Sequence, residues 1–477
     1  MACESNKLLA RIPAVKPGRQ GLTGFDLLNP ITLLCISVLQ DIGMTIAMRH
    51  CQYPTFLDPA WRRVLILSLY GYQGLVAGFG LTALPNHFAE VGETVGAIGG
   101  YMALVGLPWA LQPFWGPLVD RFGQSRMGRR RFWVVIALAG ALASLGCLPL
   151  AGDGSAALTR LGLLLLIHSG FAALLDTAID AMIIDRVPVD RLGQATALTR
   201  AGFVTGTASG AILFSWIIPG YGLTAAALLL LLLGCGAFVI ALLVREAEGD
   251  SLLSLRHDAA LAASADSYRS LLARLFSALR QRHALALLAL CIAEESATAI
   301  FGVHLSVEMI QRGGWDAASL SRLQGGLALL GGTAGALLIG HWSDRVGHYR
   351  VLHWLLAICA AAYIVAAAML MVPQTAWFSA GALALSSVVP ALAFVALAPA
   401  VMRSSRGIGA ATRFALFMAA LNLGGILGSA VSGPIGEVLE SWQIALAGAC
   451  VFGFCAVVAS RPQRLFGRDA GAPTNRN

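Results

Sequence analysis

Apolar stretches long enough to cross about 30 Å of hydrocarbon recur along the chain at 64–86, 95–119, 132–150, 158–184, 197–218 and 223–244. A second series follows at 284–308, 319–341, 351–372, 376–402, 409–433 and 442–460. The grouping is six plus six, with the polar stretch 245–283 between. This pattern predicts an all-α integral membrane protein whose twelve transmembrane helices form two six-helix bundles, 64–244 and 284–460. An N-terminal region, 1–63, a linker, 245–283, and a tail, 461–477, complete it.

Composition excludes the main alternative. Of 477 residues, 57% are hydrophobic and only 12% charged, about half the charged fraction of water-soluble proteins, too few to cover a soluble enzyme's surface. The 53 glycines follow no three-residue period, which rules out collagen and suits closely packed membrane helices. Nine cysteines are scattered singly, without the spacing of a disulfide framework or a zinc site. Nothing in the pattern calls for a metal, a cofactor or a catalytic residue, and a nucleotide-driven pump is excluded by the lack of a Gly-rich Lys-Ser/Thr loop.

A net charge of +8 would point to nucleic acid in a soluble protein, but here the arginines occupy the gaps between apolar runs. Of the 33 Lys and Arg residues, all but Arg160, Arg312 and Arg322 fall in gaps on one side. By the positive-inside rule that side is cytoplasmic, and both termini lie on it. No nucleic-acid partner is expected; the partners are the lipid bilayer and a small-molecule substrate, with the chain a monomer.

Two segments stand outside the twelve spans. The apolar run 27–48, interrupted by Pro30 and Asp41, reads as an interfacial or re-entrant helix, the alternative being a thirteenth crossing that breaks the charge parity. In the linker, Leu271, Leu272, Leu275, Phe276 and Leu279 recur between arginines, an amphipathic helix suited to the membrane surface.

The chain also repeats itself. The second span ends in Gly116, Asp120, Arg121 and Gly123, and the eighth ends in Gly340, Asp344, Arg345 and Gly347, both in the pattern G-x-x-x-D-R-x-G. Two such segments at equivalent positions indicate a duplicated six-helix unit, which a two-bundle transporter needs if one bundle is to rock against the other. Asp120 and Asp344, with Arg121, Arg345 and the run Arg129, Arg130 and Arg131, are read as a cytoplasmic gate.

These segments resemble the loop signature of the major facilitator superfamily. The stretch Leu107 to Arg121, followed by Gly128 to Trp133, is similar to the branch that contains the muropeptide permease and the acetyl-CoA transporters, with siderophore importers as related look-alikes. Gln112 stands where that branch usually has a lysine, and Arg413 where it commonly has an uncharged polar residue. The resemblance implies a secondary active transporter in a bacterial inner membrane, importing a muropeptide-like or siderophore-like solute. One subgroup of the superfamily consists of assembly or pigment-delivery factors that do not transport, which is the alternative function.

Charges inside the spans are the candidate chemistry. Asp176 and Asp180 are four residues apart and share one face of the fourth helix. A carboxylate facing lipid costs several kcal/mol, so both belong in the interior. Two such groups in a poor solvent cannot both ionise cheaply, which suits proton coupling; an internal hydrogen-bond network is the other reading. Glu294 and Glu295 in the seventh span are about 100° apart, so at most one points squarely inward. Arg200 and Arg413 open the fifth and eleventh spans, and each either snorkels to the inner surface or meets an anionic substrate. His168 and His304 read as buried packing residues.

Overall fold

The computed structural model describes residues 54–122, 125–152, 156–188, 191–254, 282–335, 345–372, 376–404 and 410–461, with isolated positions 273, 277, 339 and 342. They lie in one compact unit, Tyr53–Asn477. The run 27–48 and the apolar residues of the linker helix are outside the described residues.

Among the described residues, regular structure is helical throughout. Helix α1 is Pro59–Val91, α2 runs in two pieces, Val95–Ala110 and Gln112–Phe122, α3 is Arg129–Gly146 and α4 is Ala157–Arg186. The run Leu192–Leu243 turns at Gly222, where φ is 82° and ψ is 173°, and so forms α5 and α6. Then come α7 (Arg282–Gln311), α8 (Ala317–Leu329, continuing as a π-helix through Leu330–Gly335), α9 (His348–Met371), α10 (Ala376–Ser404), α11 (Ala410–Gly436) and α12 (Ser441–Ala459). Ten of the described helices are long and apolar enough to cross a membrane, the bent α5–α6 run counted as one.

Two boundaries differ from the hydrophobic pattern. Helix α1 begins at Pro59, not at 64, because Asp58 accepts a hydrogen bond from the Ala60 amide at 2.9 Å and proline occupies the first turn, both helix-starting devices; Arg62 and Arg63 hide this start from an apolar count. Helix α2 breaks at Leu111, between Pro108 and Pro113, where proline removes intrahelical hydrogen bonds.

The duplication is visible in the packing. In the first half, Gly74 and Gly78 of α1 lie directly on the backbone of α5 at Phe203 and Thr207, leaving no room for a side chain. In the second half, a side chain at Gly424 of α11 would come within 2.6 Å of the Ile292 carbonyl on α7, and one at Gly428 within 2.5 Å of that of Ser296. So α5 meets α1 as α11 meets α7, through small residues. The repeated loops match as well. Each closes on a glycine before the next helix, Gly128 with φ 104° and Gly347 with φ 105°, a conformation that other residues adopt only with strain.

Contacts between the halves obey the same symmetry. Helix α2 packs on α11 and α5 on α8, each the exchanged counterpart of the other. Hydrogen bonds gather at the end opposite the central linker. Asn86 of α1 donates to Ser321 at 2.8 Å and to Gln324 at 2.7 Å, both on α8, and Gln324 donates to Ser306 of α7 at 2.9 Å. Gln311 donates to the carbonyls of Ala89 and Glu93 at 3.1 and 2.7 Å. Uncharged groups therefore make most of the bonds at this far end, with Glu90 of α1 accepting from the Ala317 amide of α8 at 3.4 Å.

Candidate functional site

The fourth helix presents Asp176 and Asp180 to α1 and α2. Tyr70 of α1 donates its hydroxyl hydrogen to Oδ1 of Asp180 at 2.5 Å, and Gln112 of α2 donates to Oδ2 of Asp176 at 2.7 Å. Asp176 lies near the same phenol. Three helices thus converge on two carboxyl groups, one bonded to a phenol and the other to an amide, and among the described residues no cation forms an ion pair with either carboxylate.

The seventh helix splits its pair. Glu294 is buried and its neighbours are Cys291, Cys359 and Cys455, all buried in the second half. Glu295 turns the other way, over Gly424 and Gly425 of α11, and its charge acts on Arg200 of α5. Among the described residues no hydrogen-bond donor reaches either carboxylate. The Arg200 guanidinium stands 4.4 Å from the centre of the Phe394 ring on α10.

The basic run at the start of α3 is separated by the fold. Arg129 is exposed. Arg130 pairs through Nε with Asp185 at 2.7 Å. Arg131 is 1% exposed and donates to five carbonyls, those of Met127, Ala241, Leu242, Ser251 and Leu252, at 2.6–3.2 Å. These bonds tie α3 to the end of α6 and the beginning of the linker within the first half. Glu246, also 1% exposed, accepts from the amides of Arg130 and Arg131 at 2.8 and 3.0 Å and from Arg186 at 2.9 and 3.0 Å. Just outside this knot Asp250 caps the Ala247 amide at 2.8 Å, and burial pushes its carboxyl above the usual range against that hydrogen bond.

Arg121 stacks on Phe122, 5.7 Å from the ring centre, and Arg345 is exposed. Asp344 and the side chains of Asp120 and Arg413 lie outside the described residues. His168 meets the Tyr72 hydroxyl at 3.0 Å, a bond between α4 and α1, and His304 is buried beside Glu308 at 3.8 Å.

Sequence reasoning missed Tyr70, Phe394, Asn86 and Glu246. Tyr70 and Phe394 sit in runs of similar aromatic and aliphatic residues, and only tertiary structure tells the ring that faces a charge from those that pack. Glu246 carried a usable signal: an acidic residue two positions beyond an apolar span, opposite a loop crowded with arginine.

The family model described as Major Facilitator Superfamily matches residues 64–412. A folate-biopterin transporter of Synechocystis sp. is 29% identical over 412 residues, covering 80% of this chain and 76% of that protein. Among solved structures, the nucleoside transporter NupG superposes with a TM-score of 0.62 at 17% identity, over 84% of this chain and 98% of its own. A POT family transporter in complex with 5-aminolevulinic acid gives 0.63 at 11% identity, over 85% and 96%. At these identities the solved structures speak for the fold alone.

Proposed function

Because the chain belongs to the Major Facilitator Superfamily and is a secondary transporter of that type, not an enzyme, we propose that it carries a polar organic solute across a bacterial inner membrane together with protons. The observation that carries this reading is the pair Asp176 and Asp180, each held in the interior by a neutral donor, Gln112 and Tyr70. A scaffold gains nothing from two carboxyl groups in its interior with no cation paired to them. A carrier gains a place to hold and release a proton.

The relative's name makes folate and biopterin the first solutes to test, ahead of the muropeptide-like and siderophore-like compounds suggested by the loop motifs. The charge asymmetry of the gaps supports cytoplasmic termini and a linker on the cytoplasmic side. On that orientation the far end sealed by Asn86, Gln311 and Gln324 is periplasmic, and import begins when those neutral contacts part. Asp120 and Asp344, with Arg121, Arg345 and Arg129, serve the opposite closure, while Arg130 and Arg131 hold the first half in shape.

The test is uptake into proteoliposomes under an imposed pH gradient, with labelled folate, biopterin, a muropeptide and a siderophore offered in turn. The parent should accumulate one of them. Asp180→Asn should insert normally and still exchange solute downhill, but fail to accumulate it. Accumulation by Asp180→Asn that follows the gradient as strongly as the parent's removes the coupling role. If no solute moves through a well-folded parent, the assembly-factor alternative gains.

A further inference from the structure

Arg200 lies about 12 Å along its helix from Leu192, three residues into the apolar span Ala197–Leu243. Its neighbours come from the other half of the molecule: the Phe394 ring of α10, 4.4 Å from the guanidinium, and the charge of Glu295 on α7. Among the described residues no carboxylate stands within ion-pair distance of it, yet its side chain is accessible. An arginine that meets the other half of the molecule on one side and is accessible on the other is placed to meet a ligand as well.

The chemistry of that ligand follows from what the guanidinium meets now. A guanidinium is planar, and it occupies the face of Phe394 as a flat aromatic ring would. Its fork of donors fits a carboxylate through two parallel hydrogen bonds. Glu295 is the competing negative charge; it acts on Arg200 without bonding to it, so a ligand carboxylate in direct contact outcompetes it.

We propose that Arg200 and Phe394 form the substrate anchor, selecting a planar ring that carries a carboxylate. The ring takes the face of Phe394, the guanidinium swings from that face onto the carboxylate, and Glu295 is released from its hold on Arg200. Because Arg200 and Phe394 belong to different halves, the occupied anchor bridges them. This assignment rests on the transport reading above.

Purified full-length protein in detergent, with equilibrium dialysis of three probes, tests it. The probes are pterin-6-carboxylate, uncharged pterin, and N-acetylmuramic acid, which has a carboxylate but no flat ring. The parent should bind pterin-6-carboxylate at least about tenfold more tightly than either of the others. Arg200→Gln should weaken pterin-6-carboxylate about 10- to 100-fold and leave pterin unchanged. Phe394→Leu should weaken both ring compounds about 3- to 10-fold. Glu295→Gln should tighten pterin-6-carboxylate, a gain that a damaged protein cannot produce. Arg200→Lys keeps the charge without the fork and should fall between parent and Arg200→Gln.

A parent that prefers N-acetylmuramic acid, binds no probe, or loses pterin and its carboxylate equally in Arg200→Gln overturns the anchor. The two readings fail separately. Gradient-driven accumulation of a solute that ignores Arg200 and Phe394 removes the anchor and leaves transport standing. The expected binding pattern without accumulation of any solute does the reverse.

Discussion

The two halves share one architecture and treat their charges differently. Both seat a glycine-bearing helix on the first helix of the unit, α5 on α1 and α11 on α7. Both enter their third helix through a glycine at nearly the same φ. Yet the first half satisfies its interior carboxylates from its own helices: Asp176 and Asp180 through Gln112 and Tyr70, Glu246 through three arginines. In the second half, Glu294 and Glu295 accept no hydrogen bond among the described residues, and Glu295 looks across to Arg200. Duplication thus preserved backbone geometry, which close packing enforces, and left side-chain chemistry to diverge. The first half answers its interior carboxyl groups from its own helices; in the second, no donor among the described residues reaches Glu294 or Glu295.

The sharpest way to break this contrast is at the linker end. Where the first half closes its last helix with Arg245 and Glu246, the second carries Ser460 and Arg461. Glu246→Ala leaves Arg186 without its carboxylate and two amides without their acceptor. Arg186 is 37% exposed and solvates its charge in part, so the larger loss is that of the two buried amides, about 1–3 kcal/mol for each donor left unsatisfied. Thermal unfolding of the detergent-solubilised protein should show that loss, whereas Arg461→Ala should change little. Equal stability of Glu246→Ala and parent would mean that the first half does not depend on its buried charges.

Next in size is the phenol between the two aspartates. Tyr70→Phe keeps the ring packed and removes the hydroxyl, so Asp180 loses its donor. A hydrogen bond to a charged group is worth about 1.5–3 kcal/mol, and uptake driven by the pH gradient should slow about tenfold or more. Folding, read by monodispersity, should be nearly unaffected. If Glu294→Gln slows uptake as much as Tyr70→Phe does, the proton site is not confined to the first half.

How much of this was legible in the sequence depends on whether the signal was periodic or convergent. The apolar spans, the repeated loop and the i, i+4 spacing of Asp176 and Asp180 are properties of local sequence, and the described helices follow the spans to within about five residues, the eighth being described continuously only to Gly335. The division of Glu294 from Glu295 was legible too, since adjacent residues on a helix cannot face the same way. What was not legible is which distant residue answers each charge. Gln112 was seen only as a departure from a family pattern, and its bond to Asp176 needs the meeting of α2 with α4. Arg131 read as a basic loop residue; that it is buried against five carbonyls follows from the place where α6 ends, which no local pattern encodes.

The smallest effect lies at the far end, where the halves begin α2 and α8 with different caps. Thr94 accepts from the Ala97 amide at 3.1 Å, and Asp316, its repeat-related counterpart, accepts from that of Ser319 at 2.8 Å. Removing either cap costs about 0.5–2 kcal/mol, but only one of them titrates. The hydrogen bonds from Ser319 hold the Asp316 carboxyl below its ordinary range. A carboxyl depressed in the folded state contributes stability that is fully present above its unfolded value and is lost as pH falls through the folded one. Asp316 is exposed, so solvent screens the charge and the effect stays small. Unfolding temperatures of the parent and of Asp316→Ser should therefore converge as pH is lowered below the ordinary aspartate range, and separate above it. The Thr94→Ala protein should run parallel to the parent at every pH. A gap between parent and Asp316→Ser that does not narrow in acid would show the two caps to be alike, and the halves to differ in charge only at their interiors.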